Sequence, residues 1–173
     1  MQIDTLRFGP VEVDEEKFID FGEGIPGLEQ YHTYAILQFE DSYPLVWLQS
    51  IEDTGICLPV LDTFAVLPEY LFDMDEADVK YLELKGPDEL HVVSVVVIPE
   101  DIKGMTVNLA APIVINTTTG KAKQVVLSGT EYNVRAPVFQ DICNAVAKAE
   151  NDEDSADDTN VSGKEGGVDA GSV

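Results

Sequence analysis

The stretch from residue 91 to residue 127 constrains the fold of this chain more than any other part of the sequence. It contains four short apolar runs, rich in valine and isoleucine, at residues 92–98, 105–109, 113–115 and 125–127. Each run is too short for a buried helix, and β-branched side chains favour extended backbone. Prolines and glycines separate the runs and mark turns. The stretch therefore predicts several short strands joined by tight turns, as in a β-meander or a barrel segment.

Similar runs occur earlier in the chain. They predict strands within residues 1–8, 11–13, 18–21, 33–39, 44–50 and 56–61, with a turn at Gly9-Pro10 and a last strand near 133–135. Trp47 lies among apolar neighbours, which favours a place in the core. We therefore expect a mainly β fold: a small, single-domain, antiparallel β-barrel-like protein with one or two short helices.

One helix is predicted over residues 75–84. Asp75 can cap its start, and the acidic residues that follow suit the positive end of a helix dipole. Val79, Leu82 and Leu84 would then face the core, and Gly86 with the proline after it would stop the helix.

A second helix is predicted near the C-terminus, beginning with Pro137 in its first turn. Phe139, Ile142, Cys143 and Val146 recur at helical spacing and would form its apolar face. We divide the chain into a β domain at 1–137, a helix at 138–149 and an acidic disordered tail at 150–173, because the tail has almost no large apolar side chain.

The charge of the chain limits its partners. Lys and Arg number 10 against 33 Asp and Glu, giving a net charge of −23 and an isoelectric point near 4.1. Repulsion argues against direct binding to nucleic acid or to an anionic membrane. Two interpretations stay open: a basic protein partner, or a solvated surface that only confers solubility. There is no secretory signal and no apolar run of the ~20 residues that a membrane helix needs, so we expect a cytoplasmic protein.

No residue pattern indicates catalysis, a cofactor or a metal. Neither His32 nor His91 has the spacing of metal ligands, and Cys57 and Cys143 form no metal motif and no disulfide framework. The segment that starts at residue 73 with Asp-Met-Asp opens like a calcium loop. It then places Asp78 where that loop requires glycine. We expect a protein that is not an enzyme.

Five segments, taken together and in this order, resemble the flagellar assembly factor FliW family. They are FGEGIPGLEQY at 21–31, PLVWLQSIED at 44–53, TVNLAAPIVIN at 106–116, KQVVL at 123–127 and EYNVRAP at 131–137. Each segment alone is a weak signal. The resemblance covers residues 1–137, and the C-terminal helix and tail extend beyond the usual family ending.

The resemblance implies a small β protein without catalysis. Members of this family bind the carbon storage regulator CsrA, a basic RNA-binding dimer, and stop it from repressing flagellin translation. They also bind flagellin as a chaperone-like partner, and flagellin competes for the factor. The alternative function is an acidic nucleic-acid mimic, or a general protein-interaction module. We expect the free protein to be a monomer.

The glycine-rich segment at 21–31 is either a plain turn between strands or a rigid binding loop. Acidic residues beside it, Glu23, Glu29, Glu52 and Asp53, are our candidates for partner contacts. Asn108 and Asn116 flank strand runs, where they either cap turns or line a binding edge.

Overall fold

The computed structural model describes residues 1–154. Eleven strands occur within these residues, and they form two sheets. The strands are β1 Gln2–Thr5, β2 Gly9–Glu12, β3 Ile19–Asp20, β4 Thr33–Leu37, β5 Leu45–Ser50, β6 Cys57–Asp62, β7 Leu90–Val97, β8 Thr106–Val107, β9 Ile113–Asn116, β10 Ala122–Gln124 and β11 Ala136–Pro137.

The larger sheet has nine strands, and its main path runs β10-β9-β7-β6-β5-β4-β3. All the pairings between its strands are antiparallel. The long strand β7 is shared: its first half pairs with β9, and its second half pairs with β8, which in turn pairs with β11. The smaller sheet is the hairpin of β1 and β2. The predicted mainly β, antiparallel class is therefore confirmed.

The barrel-like part of the prediction is wrong, because the strands of residues 1–154 form no closed barrel. The path ends at β10 on one side and β3 on the other. Within the described residues, only an isolated parallel bridge between Asp20 and Lys121 links these ends, with the Asp20 amide donating to the Gly120 carbonyl at 2.9 Å. Closure needs strands long enough to continue the ladder around the circumference. Here β3 has two residues and β10 has three.

The predicted strand at residues 125–127 is shifted, since β10 ends at Gln124. The backbone amides of Val125 and Leu127 still donate to the carbonyls of Pro112 and Ala110, both at about β-ladder distance (2.8 and 2.9 Å). Proline has no N–H to return, so the regular ladder stops there although the chain continues alongside.

Three further predictions are wrong by only a few residues. Gly9 and Pro10 belong to β2, and the turn precedes them at residues 6–8. Residues 133–135 are not a strand. Instead, Ala136 and Pro137 form β11, so Pro137 lies in a strand rather than in a helix. A proline is tolerated there because β11 pairs only with β8, which leaves one side of the strand free of ladder bonds.

The described residues contain three α-helices: α1 Thr63–Val66, α2 Glu76–Tyr81, and α3 at 139–154. The sequence did not predict α1, which Asp62 caps by accepting a hydrogen bond from the Ala65 amide at 3.0 Å. The helix predicted at 75–84 is confirmed in the shorter form of α2. Asp75 stands at its N-cap position but makes no capping hydrogen bond with its side chain. Leu82 is fully buried, whereas Val79 is exposed.

The apolar face of α3 is buried against the sheet. Ala145 is buried, as is Val138 just before the helix, and Phe139 and Ile142 pack in the same cluster with residues of α1 and β8. Cys143, which was predicted on this face, is exposed, and Ala145 takes its place. Residues 150–154 continue the helix instead of joining the predicted disordered tail, because the Ala-Lys-Ala-Glu run at 147–150 favours helix propagation. The rest of that tail lies outside the described residues.

The main core lies on one face of the large sheet. The buried residues of this core include Phe21, Tyr34, Leu48, Val93 and Ile113. The β1–β2 hairpin covers a second cluster around Trp47 and Ile3, and α2 covers a third around Leu82 and Val114. Trp47 is buried, as predicted. The helix α2 is thus held against β7 and β9, beside the open end of the sheet at β10.

Candidate protein-binding face

The glycine-rich segment at 21–31 is a tight loop held by its own backbone. Gly24 has φ of +80°, and a side chain there would place its Cβ 2.6 Å from the Glu29 Cα, so only glycine fits. Gly27 also has a positive φ, and its amide donates to the Glu29 carboxylate at 2.8 Å. This hydrogen bond lowers the pKa of Glu29 below its ordinary value. The loop therefore keeps Glu29 ionised in a fixed position at the surface.

The candidates Glu52 and Asp53 lie in a separate turn, which is hydrogen-bonded to the start of β4. Glu52 accepts hydrogen bonds from the amides of His32 and Thr33 at 3.0 and 2.9 Å. Asp53 accepts one from the Tyr31 hydroxyl at 2.9 Å and one from the Gly55 amide at 2.8 Å. These two acids therefore stabilise the turn as well as carrying charge, and their replacement would disturb the local fold.

Glu23 differs from the other three candidates. It is exposed, and among the described residues no hydrogen bond or ion pair engages its carboxylate. It lines a groove of about 200 Å³ together with Glu29, Tyr81 and the start of β10. Across that groove, Lys123 forms an ion pair with Asp78 of α2, which raises the pKa of the lysine. The carboxylate of Asp78 is therefore already paired with a cation of this chain, unlike that of Glu23.

The structure brings Glu23 and Glu29 together in one groove and places Glu52 and Asp53 in a neighbouring turn. Among the described residues no hydrogen bond or ion pair joins the two pairs, although Tyr31 and His32, which follow the loop, bond to the second pair.

A second groove of about 340 Å³, which the sequence did not predict, lies beside the first. One wall is the irregular segment before α2, including Leu71, Asp73 and Asp75, and the other is the continuation of β10 through Val126 and Ser128. Leu71 and Val126 are 77% and 69% exposed. The Asp-Met-Asp segment, interpreted only as a failed calcium loop, was the one sequence signal for these acids.

Within residues 1–154, no group of three or more His, Cys, Asp or Glu side chains is arranged to hold a metal ion. None of the helices in this part of the chain combines the length and apolar character required to cross a membrane. The acids of the two grooves therefore form a negatively charged surface with exposed apolar side chains between them.

Comparisons with known proteins agree on one family. The family model described as FliW protein matches residues 2–138. The flagellar assembly factor FliW of Thermoanaerobacter pseudethanolicus is 38% identical over 150 residues, which are 86% of this chain and 100% of that protein. The one from Caldicellulosiruptor bescii is 40% identical over 135 residues, covering 78% and 88% of the two chains. A crystal structure of the flagellar assembly factor FliW superposes with a TM-score of 0.75 at 29% identity, over 80% of this chain and 97% of the other.

The relatives and the fold together define a flagellar assembly factor, which is a class of proteins without catalysis. Within that class, this chain belongs to the FliW family. The resemblance stated from the five sequence segments is confirmed, as is the prediction that the protein is not an enzyme.

Proposed function

We propose that this chain acts in the cytoplasm as a regulatory binding protein, which captures the basic regulator CsrA and so relieves its repression of flagellin translation. It also binds flagellin as a chaperone-like partner. The observation that carries the proposal is membership of the FliW family over nearly the whole β domain. The net charge of −23 supports it independently, because an acidic surface attracts a basic partner and speeds association.

Glu23, Glu29, Glu52 and Asp53 remain the proposed contacts, with different weights. Glu23 is free to meet a partner. The other three already accept hydrogen bonds from this chain, so they contribute to the negative potential without having to move. If Glu52 or Asp53 were substituted, weaker binding could come either from a lost partner contact or from a disturbed turn. Glu23 is therefore the residue to test.

The test is titration calorimetry of the full chain with the cognate CsrA at two salt concentrations. We expect direct binding that weakens at the higher salt, because exposed charges are screened over about 8 Å at physiological ionic strength. Glu23→Lys should weaken binding several-fold. Glu40→Lys is the matched control, since Glu40 is an exposed acid that lines neither groove. Absence of binding at low salt would exclude this function.

The alternative, a nucleic-acid mimic that acts through charge alone, makes a different prediction. Every removed acid would then weaken binding by a similar amount, and Glu40→Lys would equal Glu23→Lys. A shaped interface depends on a few positions and on apolar contacts between them.

A further inference from the structure

The open edge of the large sheet at β10 has unused backbone hydrogen-bonding groups. The Lys121 carbonyl accepts from Asn116, and the amides of Val125 and Leu127 donate to the preceding strand. Because alternate residues of a strand point their backbone groups to opposite sides, Gln124 and Val126 point theirs away from β9. Beyond the bridge at Lys121, no strand among the described residues pairs with that side. This edge is an unfilled position for one more strand.

The surroundings of the edge are both acidic and apolar. The two grooves described above lie in series along it, the first beside residues 122–124 and the second beside residues 125–128. Their walls carry five carboxylates, of which only Asp78 is paired with a cation among the described residues. The carboxylates are Glu23, Glu29, Asp73, Asp75 and Asp78. Between them stand the exposed side chains of Leu71 and Val126.

We propose that this edge binds an extended, basic segment of a protein partner, which adds to the sheet as a strand beside Gln124 and Val126. Main-chain hydrogen bonds to the two outward residues would supply register. Lysine or arginine side chains of the segment would meet the unpaired Asp73, Asp75 and Glu23. An apolar side chain would cover Leu71 and Val126 in the 340 Å³ groove.

The charge, the apolar side chains and the free backbone groups of the edge favour an extended basic segment over other occupants. An amphipathic helix would bury the apolar side chains but leave the free N–H and C=O groups of the edge unpaired. An acidic segment, including the acidic end of this chain, would be repelled by the carboxylates. An extended basic segment satisfies the backbone, the charge and the apolar side chains together. The inference rests on the proposed function only for the partner used below, CsrA.

The decisive variant is Val126→Pro, because proline removes the outward backbone N–H while keeping an apolar side chain. No group among the described residues accepts a hydrogen bond from that N–H. Val126→Ala is the matched control, since it keeps the N–H and trims the side chain. By titration calorimetry with CsrA, we expect Val126→Pro to weaken binding about tenfold, through a lost main-chain hydrogen bond and an unpaired carbonyl on the partner. Val126→Ala should weaken it only a few-fold.

A second comparison tests the charges. One double variant combines Asp73→Asn and Asp75→Asn. Its control combines Glu40→Gln and Asp41→Asn, which change two exposed acids outside both grooves. We expect the first pair to reduce affinity and its salt dependence, and the second pair to leave both close to wild type. If wild type binds and neither Val126→Pro nor the first pair weakens binding, strand addition at β10 is wrong and the proposed function stands. If wild type does not bind, both fail.

A measurement on the unaltered chain covers the case in which Val126→Pro does not fold. Amide hydrogen exchange is followed with and without bound CsrA. Strand addition predicts that the amides of Gln124 and Val126 become strongly protected in the complex, whereas Glu40 and Asp41 keep their free rates. Unchanged exchange at Gln124 and Val126 in a saturated complex would overturn the proposal.

Discussion

At the scale of single residues, Asn116 connects three parts of the fold. Its side chain is completely buried at the end of β9. The amide nitrogen donates to the carbonyl of Leu82 at 2.8 Å and of Glu83 at 3.3 Å, where α2 ends. The amide oxygen accepts from the backbone of Thr118 and Thr119 in the turn before β10. One side chain therefore fixes both the end of α2 and the approach to the open edge.

We predict that Asn116→Ala lowers the free energy of unfolding by about 3 kcal/mol, because buried carbonyls and amides lose their partner without access to water. Urea denaturation with a two-state fit measures it. The control is Asn133→Ala, an exposed asparagine that accepts a hydrogen bond from the Arg135 amide and should cost well under 1 kcal/mol, as for an exposed turn cap. Equal losses for the two variants would contradict the role given to Asn116.

The sequence predicted half of this arrangement. Asparagine after a strand run favours turn capping, and both Asn116 and Asn108 do accept the amides that follow them. The bond to Leu82 could not be predicted, because it joins residues 34 positions apart. Glu52 is a similar case. Its charge beside a loop suggested a contact, whereas its bonds to the backbone of β4 depend on tertiary packing.

At the scale of elements, α3 has two parts with different roles. Up to Ala149 it presents a buried or half-buried side chain every three or four residues, including Ile142, Ala145 and Val146. Residues 150–154 are all exposed. The first part therefore closes the cluster that contains α1 and β8, and the second adds acidic charge without burying surface.

Two truncations of the full chain separate these roles. Ending the chain after Ala149 should leave the melting temperature within about 2 °C of wild type, because only exposed residues of the helix are lost. Ending it after Val138 removes Phe139, Ile142 and Ala145 from the core and should lower the melting temperature by about 10 °C or more. Circular dichroism measures both. A drop of several degrees in the chain that ends after Ala149 would refute the role given to the last residues of the helix.

Strands were the most predictable elements because Val-rich and Ile-rich runs carry a local signal. The buried β9 was predicted at its observed residues, 113–115, with Asn116 added. Elements governed by distant contacts were not. The four residues of α1 have no helical period to detect, and the end of β10 depends on where Pro112 interrupts its ladder with β9. The missed groove likewise combines residues 71–75 with residues 125–128.

At the scale of the whole molecule, limited surface links the two proposed partners. A standard interface takes about 800 Å² from each side, and the whole chain exposes 10876 Å². Two large proteins that approach the same end of a small sheet would interfere even if they touched different residues. We therefore predict negative coupling between CsrA and flagellin, through steric interference between two large partners on one small domain.

We predict that flagellin weakens CsrA binding by the same factor by which CsrA weakens flagellin binding, since coupling of equilibrium affinities is reciprocal. Competition titrations in both orders give the two factors. Glu23→Lys should lower the affinity for CsrA more than that for flagellin, because Glu23 is proposed to contact the basic partner. A stable ternary complex with both affinities unchanged would rule the switch out.

The acidic border of the β10 edge has a second consequence, for the behaviour of this protein in solution. An unpaired strand edge is a template on which identical molecules can join edge to edge and aggregate. Here any such encounter brings Glu23, Asp73 and Asp75 of one copy against the same carboxylates of another. Like-charge repulsion then keeps the copies apart while leaving the edge open to a segment of opposite charge. We therefore expect the acidic border to oppose association of two copies through this edge, while the edge stays accessible to a basic segment.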